Sequence, residues 1–419
     1  MPDLRIDRRQ FLQGLGLAAG ACLWPVGRAG WAWAGSQPAS QRLVVVFLRG
    51  AVDGLSVVVP YRDPHYAEAR PQIALGAPGE TDGVLPLTAE FGLHPALAPL
   101  LPFWEGRRLA FVHACGDPAG ARSHFEAQAA MEAGTLGRGA AAGGWLARWL
   151  ALFEAGAPAG AIALDTGIPA ILRGSPGVQV VTPGRGRQAP MALDRPAVQT
   201  AFDRLYSGDD PLALAYRQGR AQRERLLADL TALEAEANQA DAGAPSAVGL
   251  VQDAEVLARL LRRHPEIRGA FLPVGGWDTH INQGGAQGQL ANRLRPLASG
   301  LAALAAGLGD ELTRTTVLVM SEFGRTVAEN GNGGTDHGAG NVLWLLGGPV
   351  AGGQVLGRWP GLAPAARLDG RDLAVTTDWR RVVATLLGGP TGLETATLAR
   401  LFPGLAPAGL QLPGLLRAT

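Results

Sequence analysis

The chain has 419 residues, of which 47% are hydrophobic and 17% charged, so it can bury the core of one large domain or two. Its formal net charge is +1, which argues against a protein that works through a broad charge field on nucleic acid or on a membrane surface. The 59 Gly and 30 Pro lie between apolar runs and indicate loops of a globular protein rather than disorder.

The first 34 residues have the features of an export signal. Residues 7–12, DRRQFL, resemble the twin-arginine motif, and residues 32–34, AWA, offer an A-x-A cleavage site after a moderately apolar stretch. We expect cleavage after Ala34, the twin-arginine translocase as a partner during export, and a periplasmic or otherwise exported mature protein. The alternative is an uncleaved N-terminal helix. Lipidation of Cys22 stays open, because Ala19 stands where lipid-anchored proteins usually have Leu.

After removal of that segment, Cys115 would be the only cysteine of the chain. One thiol cannot form an internal disulfide, so stability must come from core packing even in an oxidising compartment. No other stretch is typical of a transmembrane segment, and we expect no stable membrane span in the mature form.

Seven apolar runs predict strands. Most are continuously apolar rather than alternating, which is typical of central strands covered on both faces. Helical stretches separate them, and this alternation predicts an α/β fold, a three-layer sandwich with a mostly parallel central sheet. In chain order the runs are 42–48, 109–114, 161–164, 178–181, 270–274, 315–320 and 342–347.

The helical stretches differ in character. Two begin near His94 and at Ser123, and the others cover residues 143–156, 248–263 and 287–312. Residues 210–241 form a long amphipathic pattern with most of its charges on one side, which predicts a helical insertion. That helix either packs on the main body or offers a surface to a partner.

Polar residues follow four of the predicted strands, at the edge where ligands bind in open α/β sheets. This convergence carries more weight than any single motif. The residues are Asp53 after the first run, Ser123 after the second, Asp278 and His280 after 270–274, and Glu322 and Arg325 after 315–320.

Asp278 and His280 are the strongest candidates for metal ligands. In extended backbone, positions i and i+2 point the same way, so a carboxylate oxygen and an imidazole nitrogen can face one zinc or manganese ion. The alternative is a surface Asp that caps a helix near Gln283. Asp53 has a similar alternative in an Asp-Gly turn, and the pair Asp336 and His337 can be a polar turn in a glycine-rich loop.

Ser123 has two readings. With Glu126 it forms the Ser-x-x-Glu pattern of a capping box, which needs no catalysis. A Ser at a helix N-terminus also has free backbone N–H groups and the positive end of the helix dipole beside it, which suits an attacking alkoxide or a phosphate. Arg122 adds a fixed charge that suits a tetrahedral oxyanion.

Several segments together resemble a known family. The motifs FLRGAVDGL, LHPALAPL, RSHFEAQAAME, GGWDTHINQ, SEFGRTVAENGNGGTDHG and LGRWPGL resemble, in this order, the hallmarks of the domain of unknown function 1501 family, over about residues 42 to 405. That family is grouped with the alkaline phosphatase and sulfatase fold. The resemblance therefore implies one alkaline-phosphatase-like domain over residues 35–419, with metal ligands and a nucleophile at one edge of the sheet.

The resemblance also implies roles for individual residues. Ser123 takes the place of the nucleophile, and Arg122 or Arg325 neutralises the substrate oxygens. Phe323 stands where phosphatases have a second His, and a single residue separates Asp278 from His280, where phosphatases have a longer spacing. One metal ion, an altered pair of ions and no ion are the alternatives that these departures leave open. The implied metal ligands are Asp53, Asp278, His280, Glu322, Asp336 and His337.

The sequence thus predicts an exported metal-dependent hydrolase of phosphate or sulfate esters, with a Ser or a metal-bound water as nucleophile and zinc, manganese or calcium as cofactor. Cys115 lies in Cys-Gly-Asp-Pro-Ala and lacks the Cys-x-Pro-x-Arg pattern of sulfatases, which argues against a formylglycine nucleophile. The alternative is a catalytically silent, sulfatase-like protein that binds an envelope polymer or a partner protein. No nucleic-acid partner is expected.

Overall fold

The computed structural model describes most of the chain after residue 40. The predicted signal segment at 1–34 lies outside the described residues, as does nearly all of the predicted helix at 210–241, so both remain predictions. The described residues are 41–137, 141, 143–153, 160–175, 177–181, 200, 204, 207, 208, 213, 241–389, 392–406 and 412–417.

The seven predicted strands all form, and shorter strands accompany them. The strands are β1 (Arg42–Leu48), β2 (Val58–Val59), β3 (Leu85–Pro86), β4 (Gly92–Leu93), β5 (Leu109–Gly116), β6 (Gly160–Leu164), β7 (Val178–Val181), β8 (Ile267–Val274), β9 (Thr315–Ser321), β10 (Asn341–Gly347), β11 (Gln354–Leu356) and β12 (Thr377–Asp378).

The large sheet has the strand order β11-β5-β10-β9-β1-β8-β6-β7, with β12 paired to β5. β1 is parallel to β8 and β9, β6 is parallel to β7 and β8, and β11 and β12 are parallel to β5. Within this sheet, β10 is antiparallel to both of its neighbours, β5 and β9. The prediction of a mostly parallel central sheet is therefore confirmed. The strands β2, β4 and β3 form a separate small antiparallel sheet.

The helices agree with the sequence pattern in position more than in length. The helix predicted near His94 is a 3-10 helix, Pro95–Leu100, followed by a short α-helix, because the prolines in this stretch remove N–H donors. Among the described residues, no helix combines the length and the hydropathy needed to cross a membrane. The α-helices in the described part of the chain are α1 (Gly54–Val57), α2 (Pro64–Ala69), α3 (Leu101–Glu105), α4 (His124–Ala133), α5 (Trp145–Leu150), α6 (Leu250–Arg263), α7 (Gln289–Leu308), α8 (Trp379–Gly388) and α9 (Thr395–Leu401).

Helices cover both faces of the sheet. Successive side chains of a strand point to opposite faces, so every strand contributes to two cores. Val44 and Val46 of β1 pack in the core that α6 and α7 close. Val45 and Phe47 pack in the core that α5, α8 and α9 close. The strands are therefore buried on both sides, which is why their sequences are continuously apolar rather than alternating.

The strand directions bring five strand ends, and the four chain segments attached to them, to one edge of the sheet. β1, β5, β8 and β9 run the same way, so their carboxyl ends meet at this edge. Because β10 runs the opposite way, its amino end lies there as well. The segment from 322 to 340 therefore leaves β9 and returns to β10 at the same edge, together with the segments that follow β1, β5 and β8.

Candidate metal centre

Three histidines and one aspartate meet at this edge. His124 is the first residue of α4, Asp278 and His280 follow β8, and His337 precedes β10. The Nε2 atom of His337 lies 3.0 Å from Nε2 of His124 and 3.1 Å from Nε2 of His280. The Asp278 carboxylate reaches all three rings, at 3.0 Å from His280 Nε2, 3.5 Å from His337 Nε2 and 3.7 Å from His124 Nε2.

The outward-facing nitrogens of these rings all face acceptors. His337 Nδ1 donates to the backbone carbonyl of Arg122 at 3.0 Å, His124 Nδ1 to Glu322 Oε1 at 2.7 Å, and His280 Nδ1 to Asp336 Oδ1 at 3.1 Å. A carbonyl or an ionised carboxylate only accepts, so each Nδ1 must carry the hydrogen. In the neutral ring, Nε2 then keeps its lone pair.

The Nε2 lone pair of His337 therefore meets those of His124 and His280 beside the Asp278 carboxylate, an arrangement that a cation or shared protons can stabilise. Three imidazole nitrogens and one carboxylate oxygen form a ligand set suited to zinc or manganese. Hydrogen bonds from Nδ1 to carboxylates or to a carbonyl are the usual outer support of metal-binding histidines. Ligand atoms of His124, Asp278 and His337 all lie within 4.8 Å of one another. These residues fit one divalent ion.

The electrostatics of the cluster favour a cation. Burial opposes a charge on His124, but hydrogen bonds to Asp278 and Glu322 outweigh it and raise the pKa of His124 to about 9. Burial also opposes the charge of Asp278, yet hydrogen bonds from the three histidines and the nearby Arg325 hold the pKa of that carboxyl far below its usual range. The cluster therefore favours positive charge, and a metal ion would compete with protons for these nitrogens.

Glu322 holds His124 through the ring nitrogen that faces away from the cluster. The side chain is fully buried, and Oε1 accepts from His124 Nδ1 at 2.7 Å, from the Gly50 amide at 2.8 Å and from Gln128 Nε2 at 2.9 Å. Oε2 accepts from Ser321 Oγ at 3.0 Å. With both oxygens in use, Glu322 orients a ligand, whereas the sequence pattern predicted it as a ligand itself.

Asp336 has the same relation to His280. Its carboxylate is 54% exposed and accepts from His280 Nδ1 and, at 3.0 Å, from Asn330 Nδ2. The two residues of the predicted pair therefore differ in position. His337 directs its Nε2 into the cluster, and Asp336 bonds the ring of His280.

Asp53 is engaged elsewhere. Its fully buried carboxylate pairs with the equally buried Arg70, with N–O distances of 2.5 and 3.0 Å, and accepts from Ser56 Oγ and Gln283 Nε2 at 2.7 Å each. Burial opposes this charge, but Arg70 more than compensates and lowers the pKa of Asp53. The structure therefore places Asp53 in a buried ion pair and not among the atoms that face the histidines.

Gln283 connects this ion pair to the cluster. Its Nε2 donates to Asp53, and its Oε1 accepts from Thr279 Oγ1 and Thr335 Oγ1 at 2.8 Å each. Thr279 lies between Asp278 and His280, and Thr335 lies two residues before His337. The buried pair thus fixes both loops that carry ligands.

Arg325 is a structural cation in this geometry. Its side chain is fully buried, and Nη2 donates to Asp278 Oδ1 at 2.6 Å and to the Gly50 carbonyl at 2.5 Å. Nε donates to the Ala51 carbonyl at 2.7 Å, and Nη1 to the Thr335 carbonyl at 3.0 Å. These bonds hold Asp278 in place and leave the guanidinium unsuited to the predicted contact with a substrate.

Ser123 and Arg122 lie at the N-terminus of α4. Ser123 is the exposed N-cap residue, and its side chain makes no capping hydrogen bond, so the capping box does not explain it. The guanidinium of Arg122 pairs with Asp369 at 2.8 Å and with Asp372 at 2.7 Å. Ser123 remains the better placed of the two for chemistry at the cluster, because it directly precedes His124.

His124 is the candidate ligand that sequence reasoning missed. The only sequence feature that could have indicated it is its position in the first turn of a helix that follows a predicted strand, directly after Ser123. The Phe323 ring packs against His124 and His337, with centroids 4.9 and 5.0 Å apart. Where the resemblance leads one to expect a second His after Glu322, the chain has this aromatic contact and brings His124 from a different segment.

The fold and the cluster define an α/β protein with a mostly parallel sheet and a histidine–carboxylate site at one edge. The chain belongs to the DUF1501 family, described as proteins of unknown function, whose model matches residues 114–402. That range includes His124, Asp278, His280 and His337. No curated protein matches the chain. Evidence on activity must therefore come from the site.

Proposed function

We propose that the chain is a metal-dependent hydrolase of phosphate or sulfate esters that uses one divalent ion held by His124, Asp278, His280 and His337. The observation that carries this proposal is the convergence of three Nε2 atoms on a buried carboxylate, with every Nδ1 bonded to an acceptor. Nitrogen-rich sites suit zinc or manganese, whereas calcium prefers oxygen ligands.

A divalent ion at this position would polarise an ester oxygen and lower the pKa of a nearby hydroxyl or water. The chain supplies the remaining functions. Arg325 fixes Asp278, and Glu322 and Asp336 make the imidazoles of His124 and His280 better donors to a metal.

Ser123 is the proposed nucleophile, with water as the alternative. Ser123 is exposed, its side chain makes no capping hydrogen bond, and it directly precedes His124, a proposed ligand. The first backbone amides of α4 have no hydrogen-bond partner within the helix. Ser123→Ala distinguishes the two. Loss of turnover with normal metal content supports the serine, and retained turnover assigns the attack to water.

The proposal also includes an alkaline-phosphatase-like relation and export of the chain. The alkaline-phosphatase-like relation is supported by the mostly parallel sheet and by ligands at its carboxyl edge. Export through the twin-arginine route, with cleavage after Ala34, is supported by residues 7–12 and 32–34. The substrate would then be an anionic ester of the cell envelope.

A silent binding protein is the second candidate. It is favoured by Arg325 and Glu322, two groups expected to do chemistry that the structure uses to position other residues. A protein that binds the ion tightly yet hydrolyses no ester would fit this candidate.

The test is metal content followed by an ester panel. After chelation and reconstitution, we expect one zinc or manganese ion per chain, and loss of that ion in His337→Ala. His264→Ala is the matched control, because this half-exposed His lies at the opposite edge of the sheet, directly before β8. Absence of stoichiometric metal from the parent protein would contradict the proposal.

A further inference from the structure

Two arginines at the rim of the cluster share one buried carboxylate. Asp372 is fully buried, while the side chains of Arg122 and Arg371 are 34% and 47% exposed. Arg122 Nε donates to Asp372 Oδ2 at 3.0 Å, and Arg371 Nε donates to Asp372 Oδ1 at 2.9 Å. The two guanidinium groups are therefore fixed by the same residue, although they come from distant segments.

Both arginines are also bonded to the ligand His337. The backbone carbonyl of Arg122 accepts from His337 Nδ1 at 3.0 Å, and Nη2 of Arg371 donates to the His337 carbonyl at 3.0 Å. The pair is thus fixed beside a residue that points into the proposed metal site. Arg371 lies in a segment after β11 that the sequence pattern did not single out.

Each arginine keeps donors for a ligand. A guanidinium has five N–H groups in a planar fork that suits anionic oxygens. The Nη1 atoms of Arg122 and Arg371 have no hydrogen-bond partner within the described part of the chain. Arg325 donates to backbone carbonyls and to Asp278, so Arg122 and Arg371 are the two arginines at this rim that keep donors for a substrate.

The fixed charges limit how much negative charge a substrate can bring. With a divalent ion, Arg122, Arg325 and Arg371 bring the positive charge to five. Four carboxylates that are buried or bonded to a ligand oppose it, and this set consists of Asp278, Glu322, Asp336 and Asp372. Asp369 pairs with Arg122 at 2.8 Å but is 65% exposed, so water weakens its charge more than that of the buried carboxylates. Asp241 and Arg293 also lie near Asp278, and their opposite charges cancel. The surplus is one positive charge.

We infer that Arg122 and Arg371 form an anion seat for esters with a single negative charge, meaning sulfate monoesters and phosphodiesters rather than phosphomonoesters. This inference rests on the proposed function and specifies its substrate class. A phosphomonoester carries close to two charges at neutral pH, since its second pKa is about 6. The second charge has no balancing group in this site.

The first test compares three substrates with the same 4-nitrophenyl leaving group on metal-loaded full chain at pH 8. They are the sulfate, the methyl phosphodiester and the phosphomonoester. Rates are divided by the uncatalysed rates, because intrinsic reactivities differ. We expect an enhancement at least roughly tenfold larger for a monoanionic ester, equal to about 1.4 kcal/mol. The faster of the two monoanions identifies the ester type, and a larger enhancement for the phosphomonoester would overturn the inference.

The second test uses binding and does not need turnover. Calorimetry on metal-loaded protein should show tighter binding of dimethyl phosphate than of methyl phosphate, and Arg371→Ala should weaken dimethyl phosphate binding with an unchanged metal dissociation constant. Arg263→Ala, an exposed arginine at the opposite edge, is the control. If dimethyl phosphate binds but no ester is hydrolysed, the proposed hydrolase activity is contradicted and the anion seat is retained. If Arg371→Ala binds dimethyl phosphate as tightly as the parent protein, the anion seat alone is contradicted.

Discussion

Glu322 and His124 are joined by one hydrogen bond. The sequence indicates Glu322 as the metal ligand, whereas in the structure His124 faces the cluster and Glu322 orients His124. Glu322 lies just after a predicted strand and is the more obvious ligand, whereas His124 lies ten residues after the end of one. The side chain that reaches the cluster is decided by the first turn of α4, which aims His124 inward, and by the Gly50 amide, which holds Glu322 back. Residue types near the edge were predictable, but side-chain direction depends on contacts between distant segments.

The first prediction separates a ligand from its support. Glu322→Gln should weaken metal binding by roughly 10- to 100-fold, the usual effect of losing an outer carboxylate, while one ion per chain still binds at saturation. Competition with a chromophoric chelator measures both quantities. Gln128→Leu, which removes another contact of the same oxygen, is the milder comparison. If Glu322→Gln lost stoichiometric binding altogether, Glu322 would be a ligand.

The second prediction concerns Asp53. Asp53→Asn should lower the free energy of unfolding by about 3–5 kcal/mol, because Arg70 would keep a buried charge without its partner. The protein that remains folded should still bind one ion. Denaturant unfolding and metal analysis check the two statements, with the exposed Asp310→Asn as a control. Loss of metal without loss of stability would restore Asp53 to the ligand set.

The third prediction is a pH dependence. Burial raises the pKa of Asp241 to about 6, and the nearby Glu322 and Asp278 add to the rise while the Gly276 amide and Arg293 oppose it. The folded state therefore binds more protons than the unfolded state between the ordinary pKa of about 4 and 6, and stability falls as pH rises through that window.

Asp241→Asn should consequently stabilise the chelator-treated protein at pH 7.5 by about 1–2 kcal/mol, and the gain should shrink on acidification to pH 5. Urea unfolding at the two pH values measures this difference. A gain that does not depend on pH would show that the carboxyl is ionised throughout the window.

At the scale of elements, strands were easier to predict than helices or directions. Strands buried on both faces are continuous apolar runs, which made six of the seven visible in the sequence, while the seventh, β7, is an apolar run at the sheet edge that is partly exposed. The segment at 95–105 contains a helical pattern, but its prolines limit it to a 3-10 helix and one short α-helix. The antiparallel direction of β10 was not predictable, since an apolar run carries no information about its direction.

The fourth prediction tests the junction after β1. Gly50 has φ +109°, and a Cβ there would lie 2.7 Å from the Asp278 amide nitrogen. Gly50→Ala should therefore cost at least about 2 kcal/mol in unfolding free energy and weaken metal binding through Asp278. Gly79→Ala is the matched control, with φ +91° and no atom within 4 Å of its Cβ position. Equal losses in both variants would attribute the effect to φ alone.

At the scale of the whole molecule, the convergence of strand ends was predictable and the selection of ligands was not. The α/β alternation places polar residues at one edge whatever the details of the loops. The buried network from Arg70 through Asp53 and Gln283 to the threonines could not be inferred, because its members are scattered along the chain.

The fifth prediction is that metal stabilises the complete fold. At a free concentration 100 times the dissociation constant, a bound ion should add about 2.7 kcal/mol, since only the folded chain presents the four ligands. Thermal unfolding with and without zinc or manganese measures it. The shift should disappear in His337→Ala and persist in His264→Ala, and a shift in both variants would indicate binding outside the cluster.

The reversed direction of β10 has a consequence for the order of assembly. β10 pairs with β5 on one side and β9 on the other, so the segment carrying His337 reaches its final place only when strands from both halves of the chain have joined. Such non-local pairings form slowly. With the proposed ligand set, uptake of the ion would therefore report a late stage of folding, and a fragment that ends before β10 should not acquire it.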